Sequence, residues 1–235
     1  MIEQTYEATL YAPLFYSSTE GRSVRTQPTL SATALMHALG YRYFGLEKRY
    51  AERGSDATTA DYSHLVDAPF FVTDMRPVAV DADERTFRST DFRSERHFTT
   101  NDRDLARRIA NTDSMPAILE DSGAAYQTIR NYLGLTPGST FEFTIWAHDD
   151  TDLPSRPFFR MGIKQTGEFR SVESDLDTLV LNKYLLAEVY DLSDDVLTGL
   201  MTNSNRFKRG NDPRLQHFVG ADPVFVRDRV LPEVL

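Results

Sequence analysis

Apolar and polar residues alternate from Tyr6 to Leu14, with Tyr6, Ala8, Leu10, Ala12 and Leu14 on one side and Glu7, Thr9, Tyr11 and Pro13 on the other. A period of two is what a strand with one buried face requires. Phe15 and Tyr16 extend the strand, and Ser17 to Gln27 is a polar loop carrying Glu20, Gly21, Arg22 and Arg25. Pro28 stops that segment. Ser31 or Thr33 is placed to cap a helix bearing Ala34, Leu35, Met36, Ala38 and Leu39, with Gly40 at its end. Strand, loop and helix together make the first half of a βαβ-like unit.

Further along, Arg42 to Leu65 is polar and reads as a surface insertion. A second strand is expected at Pro69-Phe70-Phe71-Val72-Thr73, and a short apolar run follows Pro77 through Val80. Periodicity is lost from Asp81 to Asp113, where arginines and acids alternate around Phe87, Phe92 and Phe98. This reads as a protruding, thumb-like charged hairpin inserted in one domain spanning 1–235. Ala124 to Leu133 is expected to be a short helix, and Pro137-Gly138-Ser139 turns into a strand from Thr140 to Trp146. Phe158 to Ile163 and Glu168 to Val172 form a hairpin turning at Gln165-Thr166-Gly167. Leu176 to Tyr190 is the longest helix candidate, and Ser193 to Met201 is a second. A basic loop, Arg206-Phe207-Lys208-Arg209, follows, and the chain ends on a strand at Val224-Phe225-Val226.

Composition narrows the classes. The 235 residues hold 40% hydrophobic and 26% charged side chains, enough apolar content to fold. With no cysteine, disulfides, thiolate metal sites and cysteine nucleophiles are excluded. No apolar run approaches the roughly 18 residues of a membrane span, and no basic leader precedes one, so a cytoplasmic protein without membrane contact is expected. The net charge of −9 disfavours a simple basic nucleic-acid binder. Only Lys48, Lys164, Lys183 and Lys208 are lysines, however, and scarce lysine with abundant aspartate fits adaptation to salt. What matters is then where the arginines cluster.

Catalytic signatures are missing: there is no phosphate-loop, dinucleotide, nucleophile-elbow or paired-histidine motif. The histidines at 37, 64, 97, 148 and 217 are too far apart in sequence for a local metal pair, and His148 with Asp149 and Asp150 reads as a solvated acidic loop. No catalytic residue, metal or cofactor is expected. His37, on the first helix, is the residue best placed for general acid–base work, although its apolar neighbours suggest a flank against the core. Arg22 and Arg25, on a glycine-containing loop, suit phosphate contacts through guanidinium and backbone N–H groups. Arg206, Lys208 and Arg209 around Phe207 combine charge with a ring for single-stranded nucleic acid. Arg160, Lys164 and Arg170 lie on the expected hairpin, and Arg88 and Arg93 flank Phe92 in the insertion.

With these residues in place, Tyr6 to Gly40 resembles the start of the Cas-five type subunit of type I-D CRISPR systems, also called Csc-one. The resemblance rests on Glu20-Gly21-Arg22, Thr26-Gln27-Pro28 and Ala38-Leu39-Gly40. Further matches in the expected order are Val72-Thr73 with Pro77, Gly138-Ser139-Thr140-Phe141 and Arg160 to Lys164, although Ile163 separates Gly162 from Lys164. The resemblance implies an α+β, ferredoxin-like, RRM-related RAMP domain with an antiparallel sheet and charged insertions. It also implies a non-catalytic subunit that caps the 5′ handle of crRNA in a Cascade-type complex and helps position target DNA. Its neighbours would be a backbone Cas-seven-like subunit and a large Cas-ten-like subunit. The RNA-binding role passes to Arg22 and Arg25 first, then to Lys164, with Arg88, Arg93 and the 206–209 cluster as the outer guess. The competing readings are an endoribonuclease of the same superfamily using His37 or Tyr43, and a salt-adapted interaction module that binds no nucleic acid.

Overall fold

β1 (Ile2–Leu10) lies at the centre of the main sheet because its alternation supplies one fully apolar face: Tyr6, Ala8 and Leu10 are completely buried. The computed structural model describes residues 1–15, 23–46, 62–87, 130–162, 165–175, 178–210 and 212–235. The short β2 (Ser23–Arg25) and the helix α1 (Ala32–Tyr43) follow β1. After a single 3-10 turn (Ser63–Asp67) come β3 (Phe70–Val72), β4 (Arg76–Ala79) and β5 (Ala82–Phe87). Next are β6 (Arg130–Leu135), β7 (Thr140–Ala147), β8 (Phe158–Met161) and β9 (Gly167–Glu173). β10 (Leu179–Asn182), α2 (Asp194–Thr202), β11 (Ser204–Lys208) and β12 (His217–Ala221) precede a helical C-terminus.

The main sheet runs β3-β7-β1-β9-β8, with β4 also paired to β7. β1 and β3 are both antiparallel to β7, hence parallel to each other, and α1 connects them. This is a split βαβ, with β7 inserted between the strands that the helix joins. The antiparallel α+β architecture expected from the sequence is therefore present. Between β7 and β9 the described residues carry β8 in place of a second crossover helix. α1 packs against both β3 and β8, at opposite edges, so the sheet curls around it. Tyr6 stacks on Phe143 at 5.3 Å, Phe159 on Phe169 at 5.1 Å, and Phe143 meets Phe159 edge-on. Each buried ring contributes roughly 1.5–3 kcal/mol.

Two smaller sheets complete the chain, β2-β6-β5 and β10-β12-β11. A buried carboxylate ties the latter to the core. Asp74 Oδ1 accepts from Ala32 N at 2.7 Å, at the open end of α1, and from Asn182 Nδ2 at 3.4 Å, while Oδ2 meets His217 Nδ1 at 2.7 Å. Ser31 does hold the capping position of α1, but its hydroxyl pairs with Thr33, so Asp74 supplies the cap from another segment.

Several expectations are corrected. α1 passes through Gly40 and ends at Tyr43; the Leu46 side chain fills the space beside Gly40 as the chain turns back. The expected helix from Leu176 is β10 followed by a π-helical Leu185–Val189, because a continuous run buried on both faces fits helix and strand patterns alike. Arg130 to Leu133 belongs to a strand, not to a helix, and 124–129 lie outside the described residues. The basic loop at 206–209 is mostly β11, an edge strand. The terminal segment is helical: Asp222 accepts from Val224 N at 2.8 Å with Pro223 in the first turn. Val226, Val230, Leu231 and Val234 then bury one side. β5 and β6 pair antiparallel, and 88–129, with most of the charged insertion, lie outside the described residues.

Candidate nucleic-acid interface

At one end of the main sheet β1 continues into Leu14 and Phe15, and three segments meet there. Leu14 pairs with Leu135 through two backbone hydrogen bonds of 3.0 and 2.9 Å, joining the main sheet to the sheet that holds β2. The β8–β9 turn packs on the same two residues: a Cβ on Gly162 would lie 2.6 Å from Leu14 Cδ1 and 2.7 Å from the Phe15 carbonyl oxygen. Gly162 also has φ +85°, a conformation open to glycine. The backbone therefore sets Phe15, where the arginine-bearing loop leaves β1, against the base of the turn that carries Lys164, while Leu14 links this point to the sheet in which Ser23–Arg25 pairs with Asn131–Leu133. Arg22 and Lys164 themselves lie outside the described residues, as do Arg88, Phe92 and Arg93.

The face beside this junction is polar and open. Arg160 pairs across the strands with Glu168, and Arg170 pairs with Thr9 of β1. Glu168 receives Arg160 Nη2 at 2.9 Å and Arg170 Nη2 at 3.3 Å, while both arginines remain more than half exposed. Tyr11, whose backbone N donates to Glu168 O at 2.7 Å, lies under the Arg170 guanidinium at 4.7 Å and is 54% exposed. These side chains carry two positive charges against one negative, on a face of the sheet whose other side is the apolar core. Arg160 and Arg170 are legible in the sequence as charges on a hairpin, whereas Tyr11 and Glu168 are not. The available signal was that Tyr11 falls on the polar side of the β1 alternation.

The second basic segment is arranged otherwise. In β11, Phe207 points to one face and packs on Phe218 at 5.1 Å, half-buried, while Arg206 and Lys208 take the opposite face. Ring and charges thus diverge. Arg209, just past the strand, is exposed.

The histidines widely spaced in sequence are brought together in one case. His37 Nδ1 lies 3.4 Å from His64 Nε2, and Tyr62 lies beside His37 with ring centroids 5.7 Å apart. Burial, and next the neighbouring His64, lower the His37 pKa from 6.5 to about 4. Arg214 and Asp212 form a bidentate pair next to Tyr62, which raises the first group's pKa and lowers the second's. Tyr43 is occupied: its hydroxyl accepts from Phe158 N at 2.8 Å and donates to Phe158 O at 3.0 Å. Among the described residues no three His, Asp or Glu side chains gather as a metal site, and no helix is long and apolar enough to cross a membrane.

None of the curated proteins matches the sequence. A chain in the cryo-EM structure of the type III-B Cmr-beta bound to cognate target RNA and AMPPnP, state 1, aligns with 93% of this chain and 84% of its own. Identity there is 12% and the TM-score 0.41, too loose a likeness to carry an argument. The family model of the type I-D CRISPR-associated protein Cas5/Csc1 matches residues 1–198, which takes in β1, α1, the whole main sheet and the β8–β9 face, and the chain belongs to that family.

Proposed function

We propose that the chain is a non-catalytic, RNA-holding subunit of a type I-D CRISPR effector complex, gripping the 5′ handle of crRNA and helping to position target DNA. Its neighbours are a backbone Cas-seven-like subunit and a large Cas-ten-like subunit. The supporting observation is the junction at Leu14 and Phe15, where the bases of the Arg22–Arg25 loop and of the Lys164 turn meet beside the exposed Arg160 and Arg170. Arg160 and Arg170 stay exposed on the open sheet face, and phosphate contacts need only such local positive charge, even on a chain that is acidic overall.

Fluorescence anisotropy with a labelled 5′-handle RNA tests this. Wild type binds with an affinity that falls as salt rises, and Arg22→Glu with Arg25→Glu abolishes retention. A wild-type protein that neither binds the handle with salt sensitivity nor copurifies with partner subunits removes the reading.

The His37–His64 pair favours a second reading, an RNA-cleaving subunit in which neutral His37 serves as base. Incubating repeat RNA with wild type and with His37→Ala decides between the two. Site-specific cleavage lost in the variant overturns the non-catalytic reading.

A further inference from the structure

We infer that Tyr11 is a stacking platform for an unpaired nucleobase, with Arg170 fixing its ring and Arg160 and Arg170 meeting the adjoining phosphates. The inference rests on the RNA-holding reading above and deepens it, adding a base-contacting residue to a grip otherwise made of charge.

An exposed tyrosine alone is ordinary on a protein surface. Three observations distinguish this one. Its backbone is fixed, because Tyr11 N donates to Glu168 O at 2.7 Å just past the end of β1, so the ring projects from a rigid base. Its ring is held by the Arg170 guanidinium at 4.7 Å, and Arg170 is in turn tethered to Glu168, which also takes Arg160. More than half of the residue nevertheless stays open to solvent. The result is an ordered ring with cations beside it on an open strand surface. A tyrosine has only two side-chain torsions to immobilise and these are already restricted, so a base stacking there sacrifices little further entropy. Stacking is tolerant of base identity, and the guanidiniums on the two neighbouring strands suit a phosphate backbone, so a single strand fits this chemistry better than a duplex, whose bases are hidden.

The test measures binding of the full-length chain to a fluorescein-labelled single-stranded RNA carrying the 5′ handle, comparing wild type, Tyr11→Ala, Tyr11→Phe and the Arg22→Glu/Arg25→Glu double variant. Thermal unfolding of each variant is followed alongside. Tyr11→Ala is expected to weaken binding about tenfold, the effect of removing one stacked base contact. Tyr11→Phe is expected to stay within about twofold of wild type, and the salt dependence is expected to be unchanged in both, because no charge is removed. 4-Thiouridine placed along the handle should crosslink to the peptide containing Tyr11 at one position. If Tyr11→Ala binds like wild type while the double arginine variant loses RNA, the stacking inference fails and the RNA-holding reading stands. Equal losses in Tyr11→Ala and Tyr11→Phe would assign the contact to the hydroxyl and overturn stacking. If the wild type does not bind the handle, both readings fall together.

Discussion

At the scale of single residues the chain depends most on a carboxylate with no role in the proposed grip. Asp74 is fully buried, caps α1 through Ala32 N and pairs with His217 and Asn182. Asp74→Ala strips an acceptor from all three at once, so a loss of about 3–5 kcal/mol is expected, read as a lower denaturation midpoint in urea. Asp74→Asn should cost less, since an amide oxygen can still accept from Ala32 N. His37 makes a separate prediction. Its pKa in the fold, about 4, is below the ordinary 6.5, so the unfolded chain takes up this proton first as pH falls. The stability this group contributes should therefore be fully present above pH 6.5, decline between 6.5 and 4, and be lost below. Half-burial reduces the effect to about 1–2 kcal/mol after solvent screening. Comparing the unfolding of wild type and His37→Gln across that window isolates it: the variant should show the shallower decline.

At the scale of elements, the β8–β9 turn must sit close on Leu14 and Phe15 for the two arginine-bearing segments to converge. Gly162→Ala adds a Cβ against the Phe15 carbonyl at φ +85°, so about 2–3 kcal/mol of destabilisation and weaker RNA binding are expected. Gly138→Ala is the control. It also has positive φ but open space around its Cβ, so it should lose some stability and keep its RNA affinity. Elements whose signal is local were legible in the sequence: the period-two run of β1, the apolar stripe of α1, the strand at β7 and the hairpin of β8 and β9. Elements defined by partners were not. β10 is buried on both faces and so lacks a period, and β11 shows one inward residue, Phe207, among polar ones. The Asp222-Pro223 start of the C-terminal helix was a local signal that the valines at 224 and 226 masked. The candidate site divides in the same way. Arg160 and Arg170 stand out as charges on a hairpin, whereas Tyr11 and Glu168 gain their meaning only from the register that sets β1 beside β9. The Asp74, Asn182 and His217 contact joins positions more than a hundred residues apart, which no sequence spacing reveals.

At the scale of the whole molecule, a net charge of −9 has to be reconciled with a polyanionic ligand. Charges farther away than a Debye length, about 8 Å at physiological salt, are largely screened, so the acids elsewhere on the surface matter less than the few arginines at the junction. At low salt the screening is lost and the acidic surface opposes RNA, so the gain in affinity on dilution should be smaller than for a basic protein making the same contacts. Each phosphate neutralised on a single strand contributes about −0.7 to the slope of log K against log salt concentration. If Arg22, Arg25, Arg160 and Arg170 each meet one phosphate, the slope should lie near −2 to −3. Arg160→Ala should make it shallower by about 0.7 with the modest loss of affinity that one phosphate contact carries, whereas Arg170→Ala should give the same change in slope and a larger loss of affinity, because the Tyr11 stack is lost as well. Binding isotherms with handle RNA at several salt concentrations measure both quantities. A wild-type slope near zero would mean that these arginines meet no phosphate and that RNA retention, where it occurs, belongs to another surface.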